Sequence, residues 1–156
     1  MGIALIAHAS NEPEVKFEVE SMLALLEQPL DIVELADALD VDLTNHDRVR
    51  LYAIEHNVDQ SLALNIACAE SNFKADARNS TSSAGGVYQY IDSTWASYSS
   101  MYWGHGHSRQ KLNANDNIEL TMWVLSKYGT ADWNASKLHG LGGGWSHKPY
   151  EQGLCG

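Results

Sequence analysis

Basic side chains are almost missing from the first third of this 156-residue chain. Up to position 47 it carries Glu12, Glu14, Glu18, Glu20, Glu27, Asp31, Glu34, Asp37, Asp40, Asp42 and Asp47 against a single base, Lys16. Nine acids and nine bases follow, so the whole net charge of -10 belongs to the N-terminal part. A chain of this balance has no basic stripe to neutralise phosphates, which argues against nucleic acid as a partner, and it is not drawn to anionic lipid. Long apolar runs are also absent. No stretch approaches the roughly 20 apolar residues of a membrane span, so stable membrane insertion is not expected. Gly2 to Ala9 is apolar and ends in Ala7-His8-Ala9, like a signal cleavage site. It has no basic residues before it and is short for a secretory segment, so it is not read as a signal peptide. Two cysteines, Cys68 and Cys155, are too few for a disulfide framework. Cys68 is expected as a small buried apolar filler, with a bridge to Cys155 as the alternative. Alternating strand patterns of any length and internal repeats are lacking, and the chain reads as mainly α.

What is present is helical periodicity. Val15, Val19, Met22, Leu23 and Leu26 recur at helical spacing until Pro29, and residues 30–39 read as a second short helix. These form an acidic helical N-terminal extension over residues 1–45, expected to be a solvated face or a docking surface for a protein partner. The remainder, 46–156, is expected to be one domain. Asp47 is a candidate N-cap for a helix over about 48–57 that buries Val49, Tyr52, Ala53 and His56 on one face. Asp59 would cap the next helix, with Leu62, Ile66 and Ala69 inward. Residues 72–83 read as loop. Asn113 or Asn115 would cap a helix to about 127 that turns Ile118, Met122 and Leu125 inward and stops at Gly129 in the αL conformation.

One acid stands out. In Ala67-Cys68-Ala69-Glu70-Ser71-Asn72-Phe73 a carboxylate closes an apolar helical stretch. Glu70 projects at the rim of the buried stripe, where partial desolvation raises a carboxyl pKa. About a dozen residues later, Gly85-Gly86-Val87-Tyr88-Gln89-Tyr90-Ile91-Asp92-Ser93-Thr94-Trp95 returns toward it. An acid facing a glycine-paired loop with backbone amides and an amide side chain suits chemistry on a neutral polar polymer such as a glycan.

These two segments resemble the Glu-Ser and Gly-Leu-Met-Gln motifs of the lysozyme-like lytic transglycosylases. The second motif here reads Gly86-Val87-Tyr88-Gln89, and Ile91-Asp92-Ser93-Thr94-Trp95 stands where the family commonly has Ile-Pro-Ser-Thr-Trp. Residues 52–59 resemble the family's lead-in helix and turn. Asn117-Ile118-Glu119-Leu120 resembles its Asn-Ile helix start, and Leu138-His139-Gly140-Leu141-Gly142 its phage-type His-x-x-Gly turn. The resemblance spans roughly residues 48–145.

It implies a lysozyme-like helical domain with little or no β-sheet that cleaves peptidoglycan glycan strands between N-acetylmuramic acid and N-acetylglucosamine, needs no cofactor or metal, and works at the cell wall, in the periplasm or envelope. The compact build and the His-x-x-Gly turn suggest a phage endolysin or virion-associated lysin. Glu70 would be the catalytic acid. Ser71 would orient it, Gly86 would shape the loop, and Gln89 would reach the acid and a sugar acetamido group. Tyr88 takes the place of the usual Met. The family's supporting tyrosine is missing, since Ser136 or Leu138 falls there, so Tyr88 or Tyr128 would supply that phenol. Trp103, Trp145 and His139 are the cleft candidates, whereas Trp95 and Trp123 are expected in the core. His105-Gly106-His107 is read as a solvent loop, not a metal site. Two-carboxylate glycosidases need a second acid, and only Asp76 follows nearby. Participation by the substrate's own acetamido group removes that need and favours transglycosylation over hydrolysis by a goose-type lysozyme. A non-catalytic wall-binding or virion module and a metal-dependent amidase are the rivals from other classes.

Overall fold

The computed structural model describes residues 42–133 and 149–155; the N-terminal helices read from the sequence, and His139, Trp145 and the glycine turn at 140–144, lie outside these. Four α-helices carry the described part: α1 (Asn45–Glu55), α2 (Gln60–Ser71), α3 (Asp92–Trp103) and α4 (Ala114–Tyr128). A 3₁₀ turn, Ala131–Trp133, follows. Among the described residues there is no strand, only isolated antiparallel bridges of Gly85 with Arg78 and Tyr90. The chain is mainly helical, as its periodicity implies.

Helix starts follow local side-chain chemistry. Asp59 caps α2 as expected, its carboxylate accepting from the Leu62 amide at 2.7 Å. Asn113 caps α4 by accepting from the Asp116 amide at 3.1 Å. Asp47 is not the cap of α1. Thr44 is, and Asp47 sits three residues inside, accepting from the Thr44 amide at 3.1 Å while its own amide donates to the Thr44 hydroxyl at 3.3 Å. Both residue types favour a cap, and the reciprocal box satisfies two otherwise unpaired amides where Asp47 alone would satisfy one. Helix α4 ends at Gly129, whose φ of 67° is positive but whose ψ of -148° is extended, so the expected αL stop is an extended glycine exit instead.

Packing puts α1 against α2 and α4, and α3 against α4. Val49, Tyr52 and Ala53 of α1 are buried, as their spacing implies, together with Ile66 of α2 and Ile118, Met122 and Leu125 of α4. Ala69 is exposed, contrary to expectation, because α2 buries the stripe Ala63 to Cys68 and its last turn emerges from the core.

The filler reading of Cys68 is corrected too. Cys68 is disulfide-bonded to Cys155, with Cα atoms 5.7 Å apart, an ordinary span for such a bond. The bridge docks residues 149–155 across α1 and α2. There the Tyr150 amide donates to Asn65 Oδ1 at 3.1 Å, and the Tyr150 hydroxyl accepts from Arg50 Nη2 at 2.8 Å. Its ring meets Phe73 edge-on at 5.7 Å.

Candidate active site

Glu70 lies on the last turn of α2, half-buried. The chain then turns sharply through two non-glycine residues at positive φ, Asn72 at 52° and Phe73 at 62°. A bulky residue in that region is strained, and such strain persists only where the surroundings hold it. Here they do: Asn45 Nδ2 donates to the Phe73 carbonyl at 2.8 Å, and the buried Phe73 ring rests 3.8 Å from His46. The Asn72 amide meanwhile returns to the Ala67 and Cys68 carbonyls, closing the helix.

The second motif comes to this same end of α2. Ser71 Oγ donates to the Val87 carbonyl at 2.8 Å and lies 3.4 Å from the Ala67 carbonyl. Ser71 therefore joins the helix end to the glycine-paired loop. Gly86 is at φ 84°, and a Cβ there would overlap Asn117 Nδ2 and come within 2.5 Å of the Lys111 carbonyl oxygen. Only glycine fits. Replacing Gly86 with alanine is expected to cost about 2–5 kcal/mol, one to two of it from the left-handed backbone and the rest from overpacking. Urea titration of the two proteins measures this, and an unchanged midpoint would contradict it.

Gln89 is the third non-glycine residue of the site held at positive φ, at 53°. Its side-chain nitrogen donates to the Gly86 carbonyl at 2.8 Å and the Ala77 carbonyl at 3.3 Å. With both amide hydrogens engaged in the loop, the side-chain oxygen is what Gln89 can offer a sugar N–H or O–H. Both of these donor bonds stay within the loop and the turn before it.

Tyr88 is buried, and each of its polar groups is engaged by a different element. Its amide donates to Asn117 Oδ1 of α4 at 2.9 Å, its carbonyl accepts from the Trp133 indole at 3.1 Å, and its hydroxyl donates to the Ala63 carbonyl of α2 at 3.0 Å. Burial pushes its phenol well above the usual tyrosine range, so it stays a neutral donor. Ala63 precedes Glu70 by seven residues, about 10 Å of helix rise, so this phenol braces α2 and does not replace the missing tyrosine beside the acid.

Tyr128 and Trp103 belong to the aromatic cluster between α3 and α4. Tyr128 stacks on Tyr98 at 5.6 Å. Trp103 packs against Tyr102 at 5.0 Å and Trp95 at 6.1 Å, with the Arg109 guanidinium 5.3 Å above its ring. Trp95 and Trp123, expected in the core, are half-buried members of the same cluster. Tyr98 donates to Asp132 at 2.8 Å, and burial, with that bond, pushes its phenol up to about 12. His105 is exposed and His107 leans on Trp103 at 5.5 Å. Among the described residues no group of three His, Cys, Asp or Glu side chains is placed to hold a metal ion, and no helix is long and apolar enough to cross a membrane.

Asn117, Trp133 and Thr121 are the supporting residues not singled out from the sequence. Asn117 starts a motif, but its contacts with Tyr88 and Lys111 depend on how the loop folds back. Trp133 carried no local signal.

A family model described as "Transglycosylase SLT domain" matches residues 49–136, more than half of the chain, running from within α1 through α4 and including both motifs. No curated protein and no solved structure matches the chain. With Glu70 ending α2 and the Gly86–Gln89 turn bonded to that end through Ser71, the chain belongs to the SLT transglycosylase domain family, whose members act on cell-wall peptidoglycan.

Proposed function

We propose that this protein cleaves the bond between N-acetylmuramic acid and N-acetylglucosamine by lytic transglycosylation, with Glu70 as the only acid–base group. The observation that carries this reading is the placement of Glu70 at the emerging end of α2, bonded through Ser71 to the Gln89 loop, with no other acid in residues 70–73 or 85–90. Asp76, the next acid along the chain, is exposed on the turn that follows. A lone carboxyl fits a reaction in which the substrate supplies its own nucleophiles.

In the first step Glu70 gives its proton to the glycosidic oxygen while the muramoyl acetamido oxygen closes on C1, and the N-acetylglucosamine leaves as an alcohol. In the second, the muramoyl 6-hydroxyl attacks C1 and expels the acetamido oxygen. The Glu70 carboxylate takes the hydroxyl proton and is restored to its acid form. A 1,6-anhydro sugar results, and no water is consumed. In this reading the Gln89 side-chain oxygen accepts from the acetamido N–H. The Cys68–Cys155 bond supports action outside the reducing cytoplasm, since disulfides persist in oxidising compartments such as the periplasm.

Digestion of purified sacculi, with and without chelator, tests this reading. Soluble muropeptides are expected at equal rates in both. Loss in EDTA restored by zinc would turn His105, His107 and His139 into ligands of a metal-dependent amidase or peptidase. Binding to sacculi without release would make the chain a wall-binding module.

A further inference from the structure

Asn117 has no exposed surface, and both ends of its side-chain amide are hydrogen-bonded. Nδ2 donates to the Lys111 carbonyl at 2.8 Å and Oδ1 accepts from the Tyr88 amide at 2.9 Å. The same amide fills the space that a side chain at Gly86 would occupy. One turn further along α4, the Thr121 hydroxyl hydrogen-bonds to the Asn117 carbonyl at 2.7 Å and to the Tyr90 hydroxyl at 3.2 Å. The start of α4 thus presents a polar seam to the loop. Gly86 and Gln89 both lie at positive φ. Among the described residues, backbone bonds close the turn only at its ends, from the Gln89 amide to the Gly86 carbonyl at 3.3 Å and from the Gly85 amide to the Tyr90 carbonyl at 3.1 Å, and the Tyr88 amide is held by Asn117.

We propose that Asn117 is a positioning residue for catalysis, its side-chain amide fixing the Gly86–Gln89 turn in the conformation that sets Gln89 beside the end of α2. The role rests on the transglycosylase reading for its effect on rate. Its structural part, the hold on the Tyr88 amide, stands apart from that reading. Among the described residues the Gln89 side chain bonds to Gly86 and Ala77, within its own loop and the turn before it, so it moves with the turn. A small displacement of a substrate-orienting group can cost about 10²-fold in rate.

Asn117→Asp tests this through pH. The ionised side chain keeps its acceptor toward the Tyr88 amide but sets a charged oxygen against the Lys111 carbonyl. The protonated form donates to that carbonyl and restores both bonds. The neighbouring groups do not relieve the charge. From the loop, the phenols of Tyr88 and Tyr90 are neutral and bonded elsewhere, to the Ala63 carbonyl and to Thr121, and the Lys111 ammonium is held by Asp92 and the Ser83 carbonyl. On its own helix, Asp116 is paired with Arg109 at 3.0 Å. A carboxyl buried here has a raised pKa. The neutral form dominates below that value and is lost as pH rises through it.

The ratio of variant to wild-type kcat on sacculi is therefore expected to fall to about a hundredth at alkaline pH and to climb toward one as pH is lowered, with KM changing less. Asn117→Ala, which loses both bonds and carries no charge, is expected to be slow at every pH and serves where the aspartate variant does not fold. Hydrogen exchange at the Tyr88 amide, read by NMR, is expected to quicken in Asn117→Ala whether or not the protein cleaves glycan. A flat ratio for a folded Asn117→Asp, or wild-type kcat in either variant, overturns the positioning role. Unchanged Tyr88 protection in Asn117→Ala does so as well. A wild-type protein that releases nothing overturns the transglycosylase reading and the catalytic part of this one, and the exchange result then decides the structural part alone.

Discussion

Replacing Glu70 with glutamine will abolish muropeptide release and leave the fold in place. The amide is nearly isosteric with the acid, and the side chain stands on an emerging helix end, so the core loses nothing. What disappears is the proton. Positioned acid–base transfer is typically worth about 10²–10⁴-fold, and in the proposed mechanism the same carboxyl serves both steps, so the loss should reach the upper part of that range. Rates of turbidity clearance and thermal melts of the two proteins measure it together. Clearance at the wild-type rate would remove Glu70 from the mechanism, and a collapsed melt would show that the side chain holds the fold.

Removal of the Cys68–Cys155 bridge carries the largest expected loss of stability. The two residues are 87 positions apart, and in the chain-entropy account closing so long a loop restricts the unfolded state by about 4–5 kcal/mol. For a chain of this size that corresponds to a drop of roughly 10–20 °C in melting temperature. The effect should reach the site. Cys68 precedes Glu70 by two residues, and the bridged segment carries Tyr150, whose ring packs on Phe73 in the strained turn after α2. Reduction, or Cys68→Ser with Cys155→Ser, is expected to lower both melting temperature and activity. A reduced protein that melts with the oxidised one would show that the bridge contributes little.

How much of this was legible in the sequence depends on distance along the chain. The Asp59 and Asn113 caps were readable because a cap bonds three residues away, and the inward faces of α1 and α4 followed from spacing. The cap of α1 was not legible as Thr44 because Asp47 suits the position as well, and only the reciprocal bonds decide between them. Glu70 and Gly86 were legible as a family pattern, and the φ of 84° gives Gly86 its physical reason. The partners of Ser71, Tyr88 and Gln89 were not legible. Each side chain had several plausible acceptors, and the loop's return path sends them to Val87, Ala63 and Gly86 with Ala77. The disulfide was hidden for the same reason: two cysteines so far apart carry no local signal that they meet. Tyr88 in place of the family's Met adds a phenol, and its hydroxyl braces α2 in a way that a thioether could not.

The most direct measurement is mass spectrometry of the glycan ends released from purified sacculi by the wild-type protein and Glu70→Gln side by side. Expected are 1,6-anhydromuramoyl ends from the wild type and no product from the variant. Reducing ends would show that water takes the place of the 6-hydroxyl, and equal product from the variant, or none from the wild type, would contradict Glu70-dependent transglycosylation.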